Sequence, residues 1–206
     1  MNLPATYSTL AGFTVQGASA EMLAELLRAY DFELSKRSFP VTDAFMPGLS
    51  RSEIQDALEA EGLTPPEELL VWWSWHNGVR LDVSTGWRRP QMSLGRALGM
   101  RAEDDLGLEP HQWDPAYIRV AGEGTKSSIA VSCSPVSPPP LVRAAAPEFG
   151  GTQGATNGRQ VISLCTPVTW WLLALAKGWS IYDPSDGWEV DDEQVPWEWL
   201  LTGMTQ

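Results

Sequence analysis

The residues able to do chemistry are few: two histidines, two cysteines and a run of carboxylates towards the end of the chain. His76 stands beside Asn77, but no cysteine or serine with a matching partner pattern is near it in sequence, as acid–base or nucleophilic catalysis would need. Packing at a helix end is the expectation. His111, followed by Gln112, Trp113 and Asp114, has no second histidine at ligand spacing and reads as a surface-loop residue. Cys133 and Cys165 lie far apart with no metal-ligand spacing around them, so both are expected to be buried thiols. The stretch GEGTKS at 122–127 ends like a phosphate loop but lacks the G-x-x-x-x-G-K-[ST] spacing. Asp183 with Asp186, or Asp191 with Asp192, has the oxygen ligands for calcium but not the twelve-residue loop with a terminal glutamate. The sequence therefore assigns no catalytic residue, no metal and no cofactor.

What remains is binding chemistry. From Gly178 to Gln206 the chain has seven acidic residues and no lysine or arginine. Aromatic residues are interleaved with them. Aromatic anchors among carboxylates suit an interface that steers a basic partner, which makes Trp179, Tyr182, Asp183, Asp186, Trp188, Glu189, Asp191, Asp192 and Glu193 the candidate partner-binding set. The plainer reading is a solvated acidic segment whose tryptophans, Trp197 and Trp199 included, close the core. Trp72, Trp73 and Trp75 span more than one helical face, so Trp72, Trp75 and Asn77 form a second candidate, a groove, against the plainer reading of core and edge packing.

The elements that must position these groups begin at Ser19, an N-cap for a first helix with Met22, Leu23, Leu26, Leu27 and Tyr30 at helical spacing. The first dozen residues show no periodicity. Ser50 with Glu53 forms a capping box for a second helix that stops at Gly62. Thr64, Pro65 and Glu67 predict the start of a third, which runs through Leu69, Leu70, Trp72 and Trp73 to a left-handed stop at Asn77-Gly78. VRLDV at 79–83 reads as a short strand and SLGRALGMRAEDDL as another helix. YIRVAGEG and SSIAVSCS form a predicted hairpin, and PLVRAA and RQVISL two more strands. SPVSPPP and EFGGTQGATNG read as loops between strands. TPVTWWLLALAKG, with Thr166 as cap and Pro167 at the first helical position, is a last helix ending near Gly178, and Asp186-Gly187 predicts a tight turn behind it. Helices, then clustered strands, then a helix predict a single α+β domain with a central, mostly antiparallel or mixed sheet flanked by helices.

The chain of 206 residues has a net charge of −12, so nucleic acid and anionic membranes are disfavoured partners and a basic protein is favoured. No stretch approaches the roughly 20 apolar residues of a membrane span, and the N-terminus has no signal-peptide pattern, so a soluble cytoplasmic protein is expected.

LTPPEELLVWWSWHNGV resembles the opening of SMI1/KNR4-like (SUKH) domains, in which a leucine-x-proline start leads into a helix ending in Asn-Gly. The order that follows is similar too: a tryptophan loop (HQWDPAYIRVAGEG), strands (SSIAVSCSP, PLVRAA) and a closing helix (TPVTWWLLALAKG). The resemblance covers about residues 50–180, with an added N-terminal helix and the acidic, tryptophan-rich C-terminal segment. It implies a non-enzymatic binding scaffold. Bacterial relatives of this kind are typically immunity proteins that neutralise toxins, often nucleases, and fungal relatives are signalling regulators. The expected function is therefore toxin neutralisation, with a regulatory or adaptor role as the alternative. A hydrolase built on His76 or His111 requires a deep pocket and a carboxylate within hydrogen-bond reach.

Overall fold

The computed structural model describes residues 2–9, 12–80, 91–104, 116–122, 128–133, 142–145, 160–191 and 193–194. Within them the chain is an α+β protein. A six-stranded sheet has the order β1 (Thr6–Thr9), β2 (Gly12–Val15), β8 (Gln160–Val161), β7 (Val142–Ala145), β6 (Ser128–Ser132), β5 (Tyr117–Ala121). It is mixed, since β2 and β8 run parallel while its other neighbours are antiparallel. Two small antiparallel sheets join β3 (Phe45–Pro47) to β4 (His76–Val79) and β9 (Ser180–Asp183) to β10 (Gly187–Val190). The predicted β5–β6 hairpin and the strands β7 and β8 are present. The β1–β2 hairpin was not foreseen.

Helix α1 (Ala20–Lys36) starts where Ser19 accepts a hydrogen bond from the Met22 amide, and it buries Leu23, Leu26, Leu27, Tyr30 and Leu34 along one stripe. A short α2 (Val41–Ala44) follows, and α3 (Arg51–Ala60) has both halves of the Ser50–Glu53 capping box. Helix α4 (Glu67–Trp75) is the centre of the packing, with α1 and α3 against it and Leu69, Leu70, Trp72 and Trp73 buried. Helix α5 (Leu94–Asp104) lies on β5, and α6 (Cys165–Lys177) lies on α1 and β2.

Three predicted helix ends are corrected. Helix α4 begins at Glu67 with Pro66 at its N-cap, and no side chain caps it. Thr64 instead donates its amide to the Cys133 carbonyl, and Glu67 pairs with Arg51. Helix α6 begins one residue before Thr166, so Thr166 and Pro167 lie inside it. Its cap comes from α4: Glu68 accepts the Leu164 amide at 2.7 Å and the Ser163 hydroxyl at 2.6 Å. Finally, α4 stops at Trp75, and Asn77-Gly78 belongs to strand β4 instead of forming a left-handed helix stop. The Asn77 side chain accepts the Leu94 amide at 2.8 Å, so it caps α5 together with Ser93, whose hydroxyl accepts the Arg96 amide at 3.2 Å. Gly78 has φ +92°, and a Cβ there would run into the backbone of Ser93.

VRLDV beyond Arg80, the His111 loop, residues 123–127 of GEGTKS, and the proline-rich and glycine-rich segments lie outside the described residues. No described helix is long and apolar enough to cross a membrane.

Candidate partner-binding surface

Helix α6 ends at Gly178 in the left-handed conformation, and the Trp179 amide returns to the Ala174 carbonyl at 2.9 Å, turning the chain into β9. The β9–β10 register pairs Tyr182 with Trp188 and Ile181 with Glu189. Because successive residues of a strand point to opposite faces, this hairpin sorts its side chains into two sets. Tyr182 and Trp188, 5.2 Å apart, both pack against Phe39, edge-on at 5.0 Å and tilted at 5.6 Å, and close the core beside the α1–α2 connection. Trp179 also packs on the core. The other face presents Ile181, 55% exposed, across from exposed Glu189.

Carboxylates surround that isoleucine in sequence and at the hairpin ends. Asp183, Asp186, Glu189, Asp191 and Glu193 are all exposed, and among the described residues none of them meets a lysine, arginine or histidine. Asp183 accepts both the amide and the hydroxyl of Ser185, at 2.7 and 2.6 Å, and the hydroxyl bond first, then the amide, holds its carboxyl below the usual range. Asp191 is fixed by its amide on the Trp179 carbonyl, and its side chain accepts the Glu193 amide. Asp192 lies outside the described residues, as do Trp197 and Trp199.

No known family model matches the chain, and no curated protein matches it.

The second candidate set is divided by the fold. Trp72 is fully buried, edge-on to Trp75 at 5.7 Å, and reaches no surface. Asn77 is spent on the cap of α5. Trp75 alone borders a groove, of about 330 Å³, between α1 and α4, with Leu27, Arg28, Arg51 and Val71.

The sequence reading missed Asp31. This α1 carboxylate accepts the Trp75 indole N–H at 2.7 Å and lies 3.2 Å from His76 Nε2 through either oxygen. The His76 ring stacks on Phe45 at 4.6 Å. A carboxylate is thus in reach of His76, but His76 lines neither described groove, and no described serine, threonine or cysteine bonds to it. The arrangement joins α1 to β4, as helix-end packing requires. Both cysteines are free and buried, and burial pushes the Cys133 thiol up to about 12 and the Cys165 thiol to about 11, far from reactive thiolates.

Ile181 is the other residue that sequence reasoning passed over. The signal was available in the alternation of the strand, which puts Ile181 and Tyr182 on opposite faces. The tryptophans drew attention because of their size, and size is what buried them.

Proposed function

We propose that the chain is a non-catalytic binding domain that receives a basic protein on the outer face of the β9–β10 hairpin, and that it acts as an immunity protein neutralising a toxin. One observation carries the binding reading: an exposed isoleucine stands among five exposed carboxylates that no cation of the described residues offsets. Carboxylates of this kind raise association rates with a cationic surface, and an apolar side chain at their centre supplies contact once water is expelled. The resemblance to SMI1/KNR4-like domains supports a toxin as the partner class. A nuclease toxin suits the charge, because its phosphate-binding face is basic and an acidic cover competes for it.

The test is affinity capture on the purified chain from its source organism at low and high salt. One basic, toxin-like protein, released by salt and rendered harmless by the chain, is the expected result. Asp186→Lys with Glu189→Lys is expected to slow association with that protein and flatten its salt dependence, and Ile181→Ala to speed dissociation. Capture of a housekeeping protein alone replaces neutralisation by the regulatory reading, and unchanged kinetics in the lysine variant remove the hairpin as the interface.

A further inference from the structure

The six-stranded sheet ends at β1, and no described strand pairs with the outer side of β1. The direction of its free backbone groups follows from one bond. The Gln16 amide donates to the Ala5 carbonyl at 3.2 Å, which makes Ala5 and Gln16 a hydrogen-bonded pair of the β1–β2 ladder. Such pairs alternate along an antiparallel ladder, so Tyr7 and Thr9 turn their N–H and C=O groups to β2 while Thr6 and Ser8 turn theirs outward.

Sheet edges are normally guarded by a lysine, a proline, a bulge or a covering segment. Strand β1 reads Thr-Tyr-Ser-Thr and has none of the first three, and Tyr7 is 49% exposed. Beside it runs a groove of about 450 Å³ whose lining includes Leu3, Thr6, Ser8, Phe13, Trp170 and Leu173. Phe13 and Trp170 meet edge-on at 5.8 Å in its wall. The Thr6 hydroxyl is shut off from water and has no partner among the described residues.

Charge selects the occupant. In a chain of net charge −12, no Asp, Glu, Lys or Arg precedes Glu21, and the segment of α6 that walls the groove belongs to a second uncharged run, from Gln160 to Ala176. Two copies of this chain repel wherever their carboxylates approach, and among the described residues none stands on β1, on β2 or in the groove beside them. A strongly basic partner finds no carboxylate to recognise among the described residues of this edge.

We propose that β1 pairs with β1 of a second copy, antiparallel about a two-fold axis normal to the sheet. The register that satisfies the outward groups sets Thr6 opposite Ser8 of the second copy, twice, with the two Tyr7 residues facing each other on the axis. Each Thr6–Ser8 pair exchanges two hydrogen bonds, the sheet continues across the axis, and the two grooves abut. The Tyr7 pair is of the non-hydrogen-bonded kind, whose side chains lie closest.

Sedimentation and light scattering of the full chain are expected to show a species of twice 22.6 kDa that dissociates on dilution. Ser8→Pro removes an outward N–H that β2 does not use, and Tyr7→Lys places two cations on the axis. Either is expected to give a monomer with unchanged circular dichroism, so the test survives if one of them fails to fold. Hydrogen exchange should show the Thr6 and Ser8 amides protected in the dimer and exchanging fast in the Tyr7→Lys monomer. A wild-type monomer from micromolar concentration upward, or a dimer that persists in both variants, overturns the proposal. Protection of these two amides only on addition of a different protein assigns the edge to a foreign strand and likewise overturns self-pairing.

Discussion

Glu68 shows how one side chain can fasten two distant segments. It lies buried on α4, and its two oxygens hold the Ser163 hydroxyl and the Leu164 amide, with the Ser163 oxygen in turn accepting the Cys165 amide at 3.0 Å. Burial pushes its carboxyl above the usual value of 4.5, and the two hydrogen bonds pull against that rise without cancelling it. The sign of the pH effect follows. A group whose folded pKa is raised adds stability that is complete below its unfolded pKa and is lost as pH rises through the folded value. Glu68→Gln keeps an oxygen for the Leu164 amide and removes the titration, so its unfolding free energy is expected to gain on that of the wild type between acid and neutral pH. Glu68→Ala leaves a buried amide and hydroxyl without partners and is expected to cost about 3 kcal/mol. Denaturant titrations of the three proteins across pH check both statements, and parallel curves for wild type and Glu68→Gln contradict the first.

At the scale of elements, helix α5 is placed by a residue outside it. Asn77 on β4 caps α5, and Gly78 lets the Ser93 backbone come close. Asn77→Ala is expected to lower stability by about 1 kcal/mol, the usual worth of a lost cap, and Asn77→Asp to retain most of it. Gly78→Ala, strained at φ +92° and obstructed by backbone, is expected to cost more than Asn77→Ala. Thermal melts of the three variants rank them, and a Gly78→Ala protein as stable as wild type refutes the close approach. The same elements show what was legible in the sequence. Ser19 and the Ser50–Glu53 box were readable because cap and capped amide lie within three residues. Ser93 caps α5 just as locally, its hydroxyl accepting the Arg96 amide, but the added contacts at the starts of α5 and α6 were not legible, since Asn77 reaches 17 residues and Glu68 reaches 96. The local Thr-Pro pattern at α6 loses to a buried partner that only the tertiary fold supplies, and the Thr-x-x-Glu pattern at α4 is given up because Glu67 pairs with Arg51. The β1–β2 hairpin escaped because four-residue strands of threonine, serine and tyrosine with one phenylalanine and one valine carry no apolar period. For the acidic hairpin, the Asp186-Gly187 turn and the run of carboxylates were legible, but which aromatics turned inward depended on Phe39, far back in the chain between α1 and α2.

For the whole molecule, charge acts in opposite directions on stability and on binding. A net charge of −12 repels itself in the compact state, and the repulsion is relieved by salt. Carboxylates clustered on one hairpin, with no cation of the described residues beside them, add to that repulsion without forming compensating ion pairs. If they are kept for a partner, their removal should help the free protein and harm the complex. Asp186→Lys with Glu189→Lys brings the net charge from −12 to −8, since each substitution adds two charge units. The expected outcome is a melting temperature above that of the wild type at low ionic strength, converging with it as salt is added, together with slower association with the captured partner at the same low salt. A purely structural role for these carboxylates predicts the reverse for the first measurement, a melting temperature that falls at every ionic strength because a favourable contact has been lost. Both measurements use one double variant and one salt series, so a rise in stability without any change in association separates a solvated acidic face from a binding one.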